Sequence, residues 1–151
     1  MNSWKLCFAL FFSLVLSACT TVNFSSKEAE ADAKLFKAPS ENKSGIYVYR
    51  DGVIGGAYPR QVWADEECIG TASGKTFIYK EVPGGKEYKI STSTAIGKNS
   101  ISLKVLPGKN YFIRQYLIIG PVSGMTYLEE KGEAEAIEAI KELRLRPSQC
   151  D

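Results

Sequence analysis

Histidine is absent from all 151 residues. Its absence excludes Ser-His-Asp and Cys-His nucleophile arrangements and removes the commonest transition-metal ligand. Long apolar runs are also missing, since none approaches the roughly 20 residues that a membrane-spanning helix needs. Charge of one sign is equally scarce: 19 Lys and Arg face 17 Asp and Glu, with no extended block of either. A nucleic-acid or polybasic lipid-binding role therefore has no electrostatic footprint. The interrupted acidic loop D-x-D-x-D-G of a calcium site is lacking, as is the G-x-x-x-x-G-K-[ST] phosphate loop. Neither a metal nor another cofactor is expected. Cysteine is sparse and informative, occurring only at Cys7, Cys19, Cys68 and Cys150.

The first eighteen residues have the three parts of a secretion signal. One cation, Lys5, precedes the apolar run Leu6 to Val15, and Leu16-Ser17-Ala18-Cys19 follows. That tetrapeptide resembles the lipobox of bacterial lipoproteins, in which the cysteine thiol receives a diacylglycerol and becomes the new N-terminus. The chemistry needs a cysteine because a thiolate is the attacking nucleophile. The alternatives are a transmembrane anchor, for which the run is too short, and an ordinary secretory signal cut elsewhere. Thr20 follows the cysteine. By resemblance to the sorting rule of Gram-negative cells, a residue other than Asp there implies the outer membrane. Several acyl chains on one cysteine hold a protein stably at a bilayer, where a single chain binds reversibly.

This reading divides the chain into a signal peptide over 1–18, a lipidated tether over 19–28 and one domain over 29–151. The 133 residues left after cleavage suffice for one domain and not two. With Cys7 discarded and Cys19 lipidated, Cys68 and Cys150 are the remaining pair, and thiols outside the cytoplasm tend to oxidise. A Cys68–Cys150 disulfide is expected; the alternative is one buried thiol and one in a frayed tail.

Strand follows strand from Gly45 onwards. Ile46-Tyr47-Val48-Tyr49-Arg50 is apolar on both sides, as a central strand would be. A glycine-rich loop runs to Pro59, and Gln61 to Ala64 and Cys68 to Gly70 flank a turn at Asp65-Glu66-Glu67. Further strands are expected at 76–82, 86–94, 101–105, 110–119 and 125–128, with Pro83-Gly84-Gly85 and Pro107-Gly108-Lys109 as turns among them. Glu133 to Leu145 places Ile137, Ile140 and Leu143 on one helical face. Ser25-Ser26-Lys27-Glu28 fits a capping box opening a short N-terminal helix, which Leu35 and Phe36 would dock on the domain. The fold expected is mainly β: an antiparallel β-sandwich of about seven short strands, with a C-terminal amphipathic helix and a short N-terminal one.

From Ile46-Tyr47-Val48-Tyr49-Arg50, through Val62-Trp63-Ala64-Asp65, Cys68-Ile69-Gly70 and Val82-Pro83-Gly84-Gly85-Lys86, to Leu106-Pro107-Gly108-Lys109-Asn110-Tyr111-Phe112-Ile113, the chain resembles the small bacterial lipoproteins called domain of unknown function 2846. The segment Val62 to Ile90 also looks like the surface-associated PEGA repeat. Both resemblances imply an envelope-facing β module, and neither supplies a catalytic residue.

The segment with most functional promise is the 51–59 loop, with Tyr58, Arg60 and, just beyond, Trp63, because aromatic and Arg side chains dominate binding hot spots. The alternative is that Tyr58 and Trp63 pack over the open end of the sandwich. Asp65-Glu66-Glu67 reads as a solvated turn, and Glu129-Glu130 as a pair that nothing in the sequence brings near it. The expectation is a non-enzymatic interaction module on a lipid anchor, its partner an envelope protein or a cell-wall component. An alternative is a glycan-binding or glycan-modifying protein using Tyr58, Trp63 and the carboxylates.

Overall fold

The computed structural model describes residues 23–121 and 124–150; the signal segment and Cys19 lie outside the described residues. It is a two-sheet sandwich with a helical layer on one side. The strands are β1 (Lys43–Arg50), β2 (Arg60–Ala64), β3 (Glu67–Ala72), β4 (Thr76–Pro83), β5 (Lys86–Ser93), β6 (Lys98–Val105), β7 (Asn110–Ile118), β8 (Met125–Lys131) and β9 (Arg144–Leu145). The helices are α1 (Lys27–Ala33) and α2 (Glu133–Lys141). One sheet has the order β8-β7-β1-β4-β9 and the other β3-β2-β5-β6. Pairing is antiparallel except at β1–β7 and β4–β9, which run parallel. No helix among the described residues is long and apolar enough to cross a membrane.

β1 explains the layering. Its alternation sends Ile46 and Val48 inward, where they meet Val62, Ile69, Ile78, Ile90, Leu103 and Ile113 between the sheets. Tyr47 and Tyr49 point the other way, into a second core with Phe77, Phe112, Ala136 and Ile140 under the helices. A strand apolar on both faces has to be covered on both faces, and the two helices supply the second cover. The helices therefore cover the outer side of the five-stranded sheet over β4, β1 and the start of β7, whereas no helix packs on the outer face of the four-stranded sheet.

Two helix expectations are corrected. The C-terminal helix does not reach Leu145: it stops at Lys141, and Arg144–Leu145 pairs with Thr76 and Phe77 as β9. Leu143 is buried all the same, so its apolar spacing was real but its helical geometry was not. The N-terminal helix is capped by Ser26, whose side chain accepts from the Ala29 N–H, and not by a Ser25–Glu28 box.

The docking of α1 is also divided unequally between its two expected anchors. Phe36 packs on Tyr47 and Phe112 at ring distances of 5.4 and 6.2 Å, while Leu35 stays exposed. Polar contacts complete the attachment. The Tyr47 hydroxyl donates to the Ala33 carbonyl at 2.9 Å, and the Ser25 N–H donates to Leu145 O at 2.9 Å. Glu30 accepts from the Leu145 N–H at 3.1 Å and from Lys34 and Arg144 at 3.0 and 2.9 Å.

Burial pushes the Glu30 carboxyl up, but the Leu145 N–H together with Lys34 and Arg144 outweighs it and holds the group below its ordinary 4.5. A carboxylate with a depressed folded value stabilises above its unfolded value and loses that contribution as pH falls through the folded one. Acidification below about pH 4 is thus expected to loosen α1, read as new protease cleavage within 24–37. Glu30→Ala is expected to reproduce this at neutral pH, at a cost of about 1 kcal/mol after solvent screening.

Candidate functional site

The sandwich has two distinct ends. β1 and β7 finish at the same end, because they are parallel and in register. The connections 51–59, 73–75 and 94–97, together with the β7–β8 connection, all lie there, and their mutual hydrogen bonds knit them together. The Gly74 N–H donates to Gly56 O at 3.3 Å, and the Ala95 N–H to Gly124 O at 3.2 Å. A Cβ on Gly74 would come within 2.6 Å of the Gly56 Cα, so glycine is required where these two loops touch. The Asp65–Glu66 turn and the β4–β5 and β6–β7 turns lie at the opposite end.

At the first end the organising residue is Arg50, which sequence reasoning missed. Arg50 is 1% exposed and has the largest fully buried side chain among the described residues. Its guanidinium donates to Tyr58 O at 3.0 Å, Ile54 O at 3.2 Å and Gly55 O at 2.7 Å. Burial pushes its pKa below the ordinary value, and the neighbouring Arg60 pushes it further the same way. A guanidinium keeps its proton at any accessible pH, so backbone carbonyls carry this buried charge. The glycine-rich loop is wrapped around a cation, and Gly55 adopts φ +64° where it closes on Leu117.

The three residues singled out in the sequence do not converge. Tyr58 is exposed at the tip of the loop. Arg60 turns into the fold, donating to Thr126 Oγ1 at 3.2 Å and Gly124 O at 3.3 Å, so it bridges the two sheets. Trp63 lies neither with Tyr58 nor over the open end. It is half-buried on the uncovered outer face of the four-stranded sheet, beneath Lys98, whose Nζ stands 3.6 Å from the ring centroid. Cross-strand pairing sets Trp63 between Cys68 and Ser91, and Ser91 beside Ser100, giving a row Cys68–Trp63–Ser91–Ser100 across that face. A shallow groove of about 230 Å³ runs alongside, lined by Asp65, Glu66, Lys89, Ser91, Lys98 and Ser100.

The carboxylates are structural. Asp65 begins a two-residue turn with φ +53° and accepts from the Lys89 N–H at 2.9 Å and from Lys86 at 3.2 Å. The Lys89 N–H, then Lys86, hold its pKa below the ordinary value. Glu129 pairs with Lys131 on β8, the opposite edge strand of the other sheet, so no glycosidase-like pair forms with Asp65–Glu67. No group of His, Cys, Asp and Glu that could hold a metal ion occurs among the described residues.

Cys68 and Cys150 lie at disulfide distance, with Cα atoms 6.0 Å apart. The separation suits a native bridge. The tail reaches Cys68 by following the β4 edge, where the Arg146 N–H donates to Phe77 O and the Ser148 hydroxyl to Tyr79 O. A cavity of about 520 Å³ lies between this tail, α1 and β4. Its polar groups are engaged with one another: the Tyr79 hydroxyl donates to Glu81, and Lys37 pairs with Asp32. Burial, then the Glu81 carboxylate, pushes Tyr79 up to about 12, so it stays neutral and unsuited to act as a base.

Comparison with known proteins gives a family of unknown function. A family model described as "Protein of unknown function (DUF2846)" matches residues 40–126. An "Uncharacterized protein" of Haemophilus influenzae is 40% identical over 136 residues, covering 90% of this chain and 80% of the relative. No solved structure matches at significance.

Proposed function

The chain belongs to the DUF2846 family, and from its Leu16-Ser17-Ala18-Cys19 tetrapeptide we propose that it is an envelope lipoprotein: lipidated on Cys19, held at the outer membrane, and acting as a non-enzymatic binding module. The observation that carries the binding role is the asymmetry of the sandwich. One outer face is covered by α1 and α2 over β4, β1 and the start of β7, while the other has no helical cover and carries Trp63 in a row with small polar side chains. A large aromatic surface beside hydroxyls and ammonium groups is the composition of a recognition face, because the ring supplies contact area and its neighbours supply direction. Lys98 over the Trp63 ring keeps that surface covered until a partner displaces it.

The partner is an envelope protein or a cell-wall component. A glycan remains the second reading, favoured by the groove next to Trp63, lined by hydroxyl, ammonium and carboxylate groups. Crosslinking in intact cells, followed by recovery of the lipoprotein, tests the role. A discrete crosslinked partner is expected, with its yield reduced about tenfold or more in Trp63→Ala. An unchanged melting curve for that variant would separate lost binding from lost folding. Recovery of the lipoprotein alone would refute the proposal, and muropeptides bound in place of a protein would select the second reading.

A further inference from the structure

Nine large apolar side chains are exposed among the described residues, and seven of them sit at the end organised by Arg50: Phe24, Val53, Ile54, Tyr58, Ile96, Ile118 and Ile119. The two others, Leu35 and Leu106, lie elsewhere. Val53, Ile54 and Tyr58 belong to the loop wrapped on Arg50, and Ile118 and Ile119 close β7 beside it. Ile96 is carried by the turn that bonds to Gly124. The six side chains other than Phe24 are each 49–70% exposed, and the Arg50 guanidinium fixes the loop that presents three of them. Exposed apolar side chains concentrated at one end of the fold are the composition of a contact surface.

The occupant is set by where the chain enters the fold. Arg144 stands at the level of Thr76 and Arg50, and its N–H donates to the Lys75 carbonyl at 3.2 Å. Phe24 lies against that same Arg144, with the guanidinium 4.5 Å from its ring centroid. Phe24 therefore joins the domain at the apolar end, a few backbone contacts from Gly74 and Gly56. Only five peptide steps separate Phe24 from Cys19, a reach of at most roughly 18 Å. A lipid on Cys19 therefore holds the bilayer within roughly 18 Å of Phe24 and of this end. Lys75, in the 73–75 connection at this end, is an exposed cation suited to lipid phosphates, and the Asp51 carboxylate at the same end is already paired with Arg114 at 2.9 Å.

We infer that the apolar loop end is a membrane-contact surface: it rests in the headgroup region of the bilayer that carries the anchor. The inference rests on the lipoprotein reading and adds an orientation to it. The open face with Trp63 then stands roughly perpendicular to the membrane, and the Asp65–Glu66 turn points away from it.

The test uses the full chain, lipidated in cells and reconstituted in phosphatidylethanolamine–phosphatidylglycerol vesicles (about 3:1), with and without brominated acyl chains. Tryptophan is introduced as Ile54→Trp or, as a second probe, Ile96→Trp, each in a Trp63→Phe background, with Glu66→Trp marking the far end. Fluorescence at positions 54 and 96 is expected to fall at least twofold in brominated vesicles, while that at position 66 is unchanged. Protein that floats with the vesicles but shows no quenching at 54 or 96 would overturn the orientation and leave the anchor standing. Protein that fails to float would overturn both. A blue-shifted emission at 54 without quenching would assign the patch to a second copy of the chain and overturn the inference.

Discussion

Arg50→Met is expected to destabilise the protein by about 3 kcal/mol and lower its melting temperature by on the order of 10 °C. Methionine keeps much of the apolar stem but removes the donors that serve three loop carbonyls, Ile54, Gly55 and Tyr58. A hydrogen bond from a charged donor contributes roughly 1.5–3 kcal/mol when its partner has no alternative. Here the loop can open and let water reach the freed carbonyls, which keeps the total below the roughly 4.5 kcal/mol that three such bonds would sum to at the least. Arg50→Lys is expected to recover little, because one ammonium cannot reproduce a planar fork aimed at three acceptors. Thermal unfolding followed by circular dichroism checks the magnitude. New proteolysis between residues 51 and 59 checks the cause. A loss under about 1 kcal/mol would mean that the guanidinium is not what holds the loop. The loss is expected to be flat from pH 5 to 9, since the guanidinium does not titrate there.

Cys150→Ser has the second large expected effect. The pair closes a sequence separation of 82 residues, for which the loop-entropy account gives about 4 kcal/mol. The bridge joins β3, the edge of one sheet, to the tail that lies along β4 of the other, so its loss frees both edges together. Cys68 also stands opposite Trp63 in the proposed binding row. The variant, and the wild-type protein under reductant, are therefore expected to melt on the order of 10 °C lower and to lose crosslinking to the partner. Mass spectrometry without reductant should find the 68 and 150 peptides linked. Two free thiols in protein taken from the envelope, with no change in melting on reduction, would contradict this.

What the sequence disclosed depended on whether a feature was local. Ile46 to Tyr49 announced a strand covered on both faces, and the structure places a core on each side of it. Periodicity names strands but not their neighbours, so the parallel pairing of β1 with β7 was not legible. Ile137, Ile140 and Leu143 are all at least partly buried, yet the helix ends before the last because Arg144 and Leu145 pair with β4. Tyr58, Arg60 and Trp63 are close in sequence and read as one site. Strand alternation and the irregularity between Val62 and Trp63 send them to a loop tip, an inter-sheet bridge and an outer face. Arg50 was hidden for a different reason. A buried cation is usually sought through an acidic partner, and this one is held by carbonyls, which leave no mark in a sequence.

Anchoring at Cys19 underlies both the binding role and the membrane-facing orientation. It is tested most directly by the mass of the N-terminal peptide of the full-length gene product recovered from the membrane. The account predicts a peptide that begins at Cys19 and carries acyl chains on it. A chain that retains Met1, or that begins at another residue without lipid, would contradict it.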